Sequence, residues 1–345
     1  MIKEASNINV PPIGRTGKDL ILATKPYAKE DRKKSWAYLT STLLLLIAAW
    51  SGTFLGHYLA VKLCFSVLTA LLMVRMFIIY HDFLHHTILH RSPLAAAIMY
   101  SYGILVLVPP SIWKRSHDYH HNHNSKLFSA SIGSYPIATS KKFLSMSAKE
   151  RRVYLAVRHP LTIILGYFSM FMMGMCFNSF VSSPAKHYDS LLALIIHFVI
   201  TGLMIFFFGW QFWLISMFIP FIISSAIGAY LFYAQHNFPG VTFADNSDWK
   251  YEGAALESSS FMLMNPFLKW CTANISYHHI HHLNSRIPFY RLPEAMAEIP
   301  ELQNPRTTSF TLSGIISCLR LKVWDAELNR MIGLAELKAR YPQYQ

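Results

Sequence analysis

The sequence predicts an all-α integral membrane protein with four transmembrane helices, additional interfacial or re-entrant helices, and a cytosolic cap that carries clustered histidines. Three observations lead there. Hydrophobic residues make up 53% of the 345-residue chain and charged residues only 14%, a balance unlike that of ordinary soluble domains. Several apolar runs approach the roughly 20 residues that a helix needs to cross a bilayer. The stretches YHDFLHH (80–86), WKRSHDYHHNHN (113–124) and YHHIHH (277–282) hold three, four and four histidines, 11 of the 17 in the chain.

Taken in order, residues 1–36 form a polar N-terminal segment. It has no apolar h-region, so no cleavable signal peptide is expected. Lys33 and Lys34 precede the first span, and cationic flanks favour the cytosolic side. Residues 37–295 form the membrane domain, with spans at about 37–56, 58–80, 190–208 and 212–233. The first two are parted only around Gly56 and His57, so they form a tight hairpin that returns His81 to the cytosolic face. The run 94–108 is short and ends at Pro109-Pro110, which makes it interfacial or re-entrant. The run 161–181 is flanked by Arg151, Arg152 and Arg158 before it and by Lys186 and His187 after it. Both ends therefore belong on the cytosolic side, and this run too is read as interfacial or re-entrant. The hairpin 190–233 turns near Gly209 and Trp210 and brings His236 back to the same face. Residues 296–345 form a cytosolic C-terminal helical cap; in the soluble-looking segment after Arg286, LPEAMAEIPEL (292–302) and the stretch 309–338 are read as short amphipathic helices that could cap the metal site.

The formal charge of +13 raises nucleic acid as a partner. The basic residues lie beside apolar spans, however, so lipid headgroups and membrane orientation account for them and no nucleic acid is expected. Cys64, Cys176, Cys271 and Cys318 are far apart and form no CxxC pair, which argues against a disulfide framework or a cysteine-ligated metal.

The histidine spacing points to metal. His81 and His85 stand at i and i+4, while His117, His120 and His121 stand at i, i+3 and i+4. His278, His281 and His282 repeat the second pattern. Residues three and four apart share a helix face, so each cluster aims two or three ring nitrogens into one volume. Neutral imidazole is the commonest metal ligand and suits iron, zinc and copper. This many converging rings exceed what one ion can use, and two metals are the natural solution. A metal transporter or a catalytically silent metal-binding membrane protein is the competing class. Transporter ligands, though, gather near the bilayer midplane on broken helices, whereas these lie just past the apolar runs.

The order HDFLHH, SHDYHH, AQHNF and NISYHHIHHLNSRIPFYRL, over about residues 70–295, resembles the membrane-bound fatty acid desaturases and is most similar to their acyl-lipid or Δ12-type bacterial branch. That resemblance implies a di-iron centre, two Fe ions with O2 as co-substrate. Its ligands, which would also be the catalytic residues, are His81, His85, His117, His120, His121, His236, His278, His281 and His282. It implies a multi-pass protein of a bacterial inner membrane with its active site on the cytosolic face. The substrate would be an acyl chain on a membrane lipid or a carrier, receiving a cis double bond. The chain has no HPGG, CxxCH or ferredoxin-like cysteine run, so an external electron donor (a ferredoxin, flavoprotein or cytochrome) is expected. A lipid, carotenoid or alkane hydroxylase or ketolase on the same scaffold is the alternative activity.

Other residues are expected to play supporting parts. Asp82 and Asp118, with Asn122, Asn237 and Asn274, are candidates to orient ligand rings through their second nitrogen, each aspartate acting on a histidine of another cluster. Phe77, Tyr80, Trp113, Phe232, Tyr233 and Tyr277 are candidates for a substrate tunnel. Lys114, Arg115 and Arg286 are candidates for contact with a headgroup or an acidic donor. His86, His123 and His279 are secondary ligand candidates, His90 and His159 structural or interfacial, and His57 and His197 packing or outer-face residues.

Overall fold

The computed structural model describes residues 14–127, 134–245 and 247–342. Four helical stretches among them are long and apolar enough to cross a bilayer: Arg32–Leu55, Leu59–Leu84, Tyr188–Phe208 and Trp210–Ala234. We label the helices used below α1 (Arg32–Leu55), α2 (Leu59–Leu84), α3 (Pro93–Leu105), α4 (Pro110–His123), α5 (Tyr188–Phe208) and α6 (Ile219–Ala234). After them come α7 (Pro266–Cys271), α8 (His278–Leu283) and α9 (Leu312–Arg320).

Helix α1 starts earlier than the apolar run because the Asp31 side chain accepts from Lys33 N and Lys34 N, satisfying two first-turn donors. It turns at Gly56 into α2, the central helix of the bundle. This helix runs past Tyr80 to Leu84 and so carries His81 on its last turn. Arg75 of α2 is 3% exposed. Its Nε donates to Thr42 Oγ1 at 3.1 Å, its Nη1 donates to Trp270 O, and its guanidinium lies 4.3 Å from the Trp270 ring. One buried cation thus joins α1 and α2 to α7, which leads into the third histidine cluster.

Helices α3 and α4 meet at a bend of 91°. Pro109 and Pro110 end one helix and open the other, with Leu107 at φ 62 between them. Along α3 the Tyr100 ring packs 5.7 Å from Phe83, and at the bend Tyr80 Oη donates to Val108 O at 2.9 Å. The pair therefore stays beside the histidine end of α2. Gly103 permits this approach, since a Cβ there would lie 2.5 Å from Tyr80 Oη and 2.8 Å from Val108 O. A Gly103→Val protein is accordingly expected to lose about 1–3 kcal/mol of stability through overpacking, read as a lower melting temperature in detergent.

The run read as interfacial is helical at Pro160–Ile164, π-helical at Tyr167–Asn178 and α-helical again at Ser179–Ser182. Its two flanks are tied to the histidine end of the bundle. Before it, Arg158 donates to Asn237 Oδ1; after it, His187 Nδ1 pairs with Ser111 Oγ at 2.8 Å. Between the flanks Tyr167 Oη reaches His197 of α5 at 2.5 Å, and the Tyr167 ring packs 6.0 Å from Phe218. The segment leaves the histidine end and comes back to it. The second long hairpin turns at Gly209, whose φ of 84 suits glycine, and α6 returns the chain to Gln235 and His236.

The C-terminal part differs from the helical reading of 309–338. Helix α9 is followed by an antiparallel hairpin of β1 (Val323–Asp325) and β2 (Arg330–Ile332), and then by the helix Leu334–Arg340. The turn is set by Asp325, whose Oδ1 accepts from Glu327 N and Leu328 N, and by Asn329 at φ 50. Val323 and Trp324 are β-formers, and the short turn chemistry outweighed the apolar spacing. A two-stranded parallel pair, Phe261–Leu263 with Thr307–Ser309, also links the segment before α7 to the one before α9. The structure remains overwhelmingly helical, with no closed sheet among the described residues.

Candidate metal centre

Four pieces of backbone deliver histidines to one end of the bundle. The last turn of α2 carries His81 and is capped by His85. Helix α4, opened by Pro110 at its first turn, carries His117, His120 and His121 on its buried face. His236 follows the end of α6 by two positions. Helix α8 carries His278, His281 and His282. It is set in place by the turn before it, where Ala273 and Asn274 take φ 42 and 57 and Asn274 Nδ2 donates to Phe289 O at 3.2 Å.

All nine predicted rings converge, and they divide into two groups. His81, His85, His117, His121 and His281 form one; His120, His236, His278 and His282 form the other. Within each group one nitrogen per ring lies within 4.8 Å of all the others. The sequence pattern explains the division. In α4, positions i and i+4 (His117, His121) face the first group while i+3 (His120) faces the second. In α8 the assignment is reversed, with His278 and His282 in the second group and His281 in the first. Each HxxHH unit thus serves both groups.

The nitrogen spacings fit metal ligation. In the first group Nε2 of His117 lies 2.8 Å from Nε2 of His81 and 3.1 Å from that of His121, which lies 3.0 Å from that of His281. In the second, Nε2 of His236 lies 3.0 Å from that of His120 and 2.9 Å from that of His278. Two nitrogens each about 2.1 Å from a shared ion at right angles would be about 3.0 Å apart. A chain of hydrogen bonds would need alternating donors and acceptors; a shared cation needs only neutral rings.

Comparison with known proteins decides the family. The profile described as fatty acid desaturase matches residues 57–311. The chain belongs to the fatty acid desaturase family. It is also 29% identical to the fatty acid desaturase of Bacillus subtilis (strain 168) over 330 residues, covering 94% of this chain and 93% of that one. It is therefore a membrane protein of an oxidoreductase family.

Burial keeps most rings of this desaturase centre in the neutral form. His117, His120, His121, His278, His281 and His282 are held well below the ordinary imidazole value of 6.5 by burial first and by neighbouring imidazoles second. Burial takes His236 down to about 4, against a small upward pull from the Ser258 carbonyl. A neutral ring is the form that ligates. Two second nitrogens are held here, His120 Nδ1 by Ser134 Oγ at 2.6 Å and His236 Nδ1 3.0 Å from Ser258 O, whereas Nδ1 of His117, His121, His278 and His281 has no protein partner. His85 Nε2 is buried without a protein partner, as suits an atom reserved for an ion.

Asp82 corrects one expectation. It serves the adjacent histidine of its own cluster, with Oδ1 3.1 Å from His81 Nδ1, while Oδ2 accepts from Phe289 N at 2.8 Å. The helix ends just beyond it, and its buried position on the last turn lets the carboxylate curl back. Asp82 thereby ties the NSRIPFYRL tail to the centre. An Asp82→Asn protein is expected to lose about 10- to 100-fold in metal affinity, measured as metal retained on dialysis against a chelator. Asp118 instead pairs with Lys114 at 2.8 Å on the surface, and Asn122 donates to Asp118 O. Asn237 Nδ2 donates to Cys318 O. Ser134 and Ser258 were not foreseen, because a lone serine far from the clusters gives no sequence signal.

The remaining histidines stand outside both groups. His86, at φ 56, and His90 are both exposed. His123 bonds Tyr119 O and stacks on the Tyr119 ring. His279 is buried but turned toward Leu302 O, at 3.4 Å. His159 caps a helix by accepting from Leu161 N, His197 is packed against Tyr167, and His57 is exposed. Arg115 and Arg286 are exposed.

An apolar cavity opens from the centre into the bundle. It reaches from His81, His117 and His278 to Met73 on α2 and Phe221 on α6. Phe77, Trp113 and Phe232 line it as expected. Tyr80, Tyr233 and Tyr277 do not; the first two have their hydroxyls bonded to Val108 O and Leu321 O, and Tyr277 packs on Phe261.

Proposed function

We propose that the chain is an O2-dependent di-iron acyl desaturase that places a cis double bond in a lipid- or carrier-linked acyl chain. The observation that carries the reading is the coincidence of two features. Nine imidazoles gather as a five and a four, and they do so at the mouth of an apolar cavity. The five-ring group would hold one iron and the four-ring group the other. Bound iron would supply the redox chemistry that removes hydrogen from unactivated methylenes, which acid–base groups cannot do.

The balance of the reaction requires an outside partner. Two hydrogens leave adjacent carbons, and with two further electrons and two protons they reduce O2 to two waters. The electrons would come from a ferredoxin, flavoprotein or cytochrome. The exposed Arg115 and Arg286, on the face that carries the histidines, favour a donor with an acidic surface. We place that face in the cytosol on the strength of the basic residues around Lys33, Arg151 and Lys186, and we read α3 and the segment 160–182 as interfacial. The chain's own residues hold the acyl segment straight and dry. Phe77, Trp113 and Phe232 wall the cavity beside the histidines, and the apolar walls of α2 and α6 take the rest of the chain.

Expression in a host that makes only saturated lipids, together with an active electron donor, tests the proposal. New double bonds in the fatty acid profile are expected. Hydroxylated chains, or an unchanged profile despite a functioning donor, would refute it.

A further inference from the structure

The loop that leaves the first histidine cluster is held in an unfavourable shape by residues far away in the chain. His86, Leu89 and Arg91 take φ of 56, 52 and 62, the left-handed region that residues other than glycine seldom enter. Three such residues in six persist only where the surrounding contacts impose them. Here the loop is gripped at both ends. Thr87 Oγ1 donates to Ser285 O at 2.8 Å, in the tail of the third cluster. At the other end Leu89 N donates to Glu30 Oε1 at 2.7 Å, and Arg32 Nη1 donates to His90 O at 3.3 Å. Glu30 and Arg32 are themselves 3.8 Å apart, so they hold two adjacent residues of the loop from one side. The Glu30 side chain is only 13% exposed, and an amide bonded to an enclosed carboxylate makes a strong, charge-assisted bond. Leu89 is fully buried, which keeps the loop from swinging out.

This grip bears on His85, the residue just before the loop. His81, His120 and His236 each have a second nitrogen held, by Asp82, Ser134 and Ser258. His117, His121, His278 and His281 lack such a partner but stand within α4 and α8. His85 has neither support. Its Nε2 has no partner, and no described side chain is hydrogen-bonded to its ring. It caps the end of α2 and, at 9%, is the most exposed of the five rings. The direction of the ring is therefore set by the backbone on either side of it. We infer that Glu30, just before α1, and Arg32, its first residue, are positioning residues for the five-ring group: by holding the loop 86–91 they fix His85 for metal binding. This inference rests on the two-metal reading above. The four-ring group takes no ligand from α2 or this loop, so the effect is confined to one of the two metals.

The test uses the full-length protein purified in detergent with its metals, and follows their release to a chelator. Relative to the wild type, Glu30→Ala is expected to weaken the hold on one metal about 10- to 100-fold and to leave the other unchanged, so that the two leave in separate phases. Glu30→Gln keeps an oxygen acceptor for Leu89 N and is expected to recover at least part of the loss. Arg15→Ala breaks a bidentate ion pair with Glu301 in the same N-terminal segment without touching the loop, and both metals are expected to stay. Equal loss of both metals or unchanged release in Glu30→Ala, a Glu30→Gln protein no better than Glu30→Ala, or the same loss in Arg15→Ala would overturn the inference and leave the two-metal reading intact. A wild-type protein that holds fewer than two metals would overturn both.

Discussion

A His121→Ala protein is expected to lose bound iron and to fall by more than about a hundredfold in desaturation, beyond what the loss of an outer partner costs. His121 stands between the groups. Its Nε2 lies 3.1 Å from that of His117 and 3.0 Å from that of His281, and its ring stacks 4.2 Å from His282 of the other group. Removing it takes away a nitrogen from the five-ring group and loosens the packing of the four. The control is His279→Ala, which empties a buried position in α8, beside the ligand candidate His278, but removes no converging nitrogen. That protein is expected to be less stable yet to keep its iron. Equal iron loss in both would show that the first effect was only unfolding.

The second large effect concerns chain length. Gly228 lines the apolar cavity, and a Cβ at that position would meet only Phe171 Cζ, at 3.5 Å. A methyl group is therefore tolerated, but a leucine would project into the channel. Seven residues separate it from Gln235 on the same strand of chain, about 10 Å of helix at 1.5 Å per residue. Gly228→Leu is thus expected to shorten the usable depth of the cavity. Turnover of long chains should fall at least about tenfold while shorter chains are spared and iron content is unchanged. The measurement is competition between long and short saturated chains within one membrane preparation. A uniform loss across lengths would show that the acyl tail does not lie along α6.

Much of this was legible in the sequence because it is written in local spacing. The i, i+3, i+4 placement of His117, His120 and His121 already put three rings on one face, and the apolar runs marked α1, α2, α5 and α6 with only small shifts at their ends. The division of the rings was not legible. Whether His120 joins His117 or His236 depends on how α4 crosses α8 and α6, which no local pattern records. Asp82 was misassigned for a related reason. Adjacent residues do not share a helix face, but on the last turn before His85 the carboxylate is free to fold back on its neighbour. The hairpin at Val323–Ile332 was masked by apolar spacing that also suits a helix.

The central claim is that two metals sit among nine imidazoles, and metal analysis of the purified protein combined with X-ray absorption at the iron edge tests it most directly. The account predicts two irons per chain and a shell dominated by nitrogen at about 2.1 Å with imidazole scattering beyond it. A single metal per chain, or a shell dominated by carboxylate or thiolate, would contradict it.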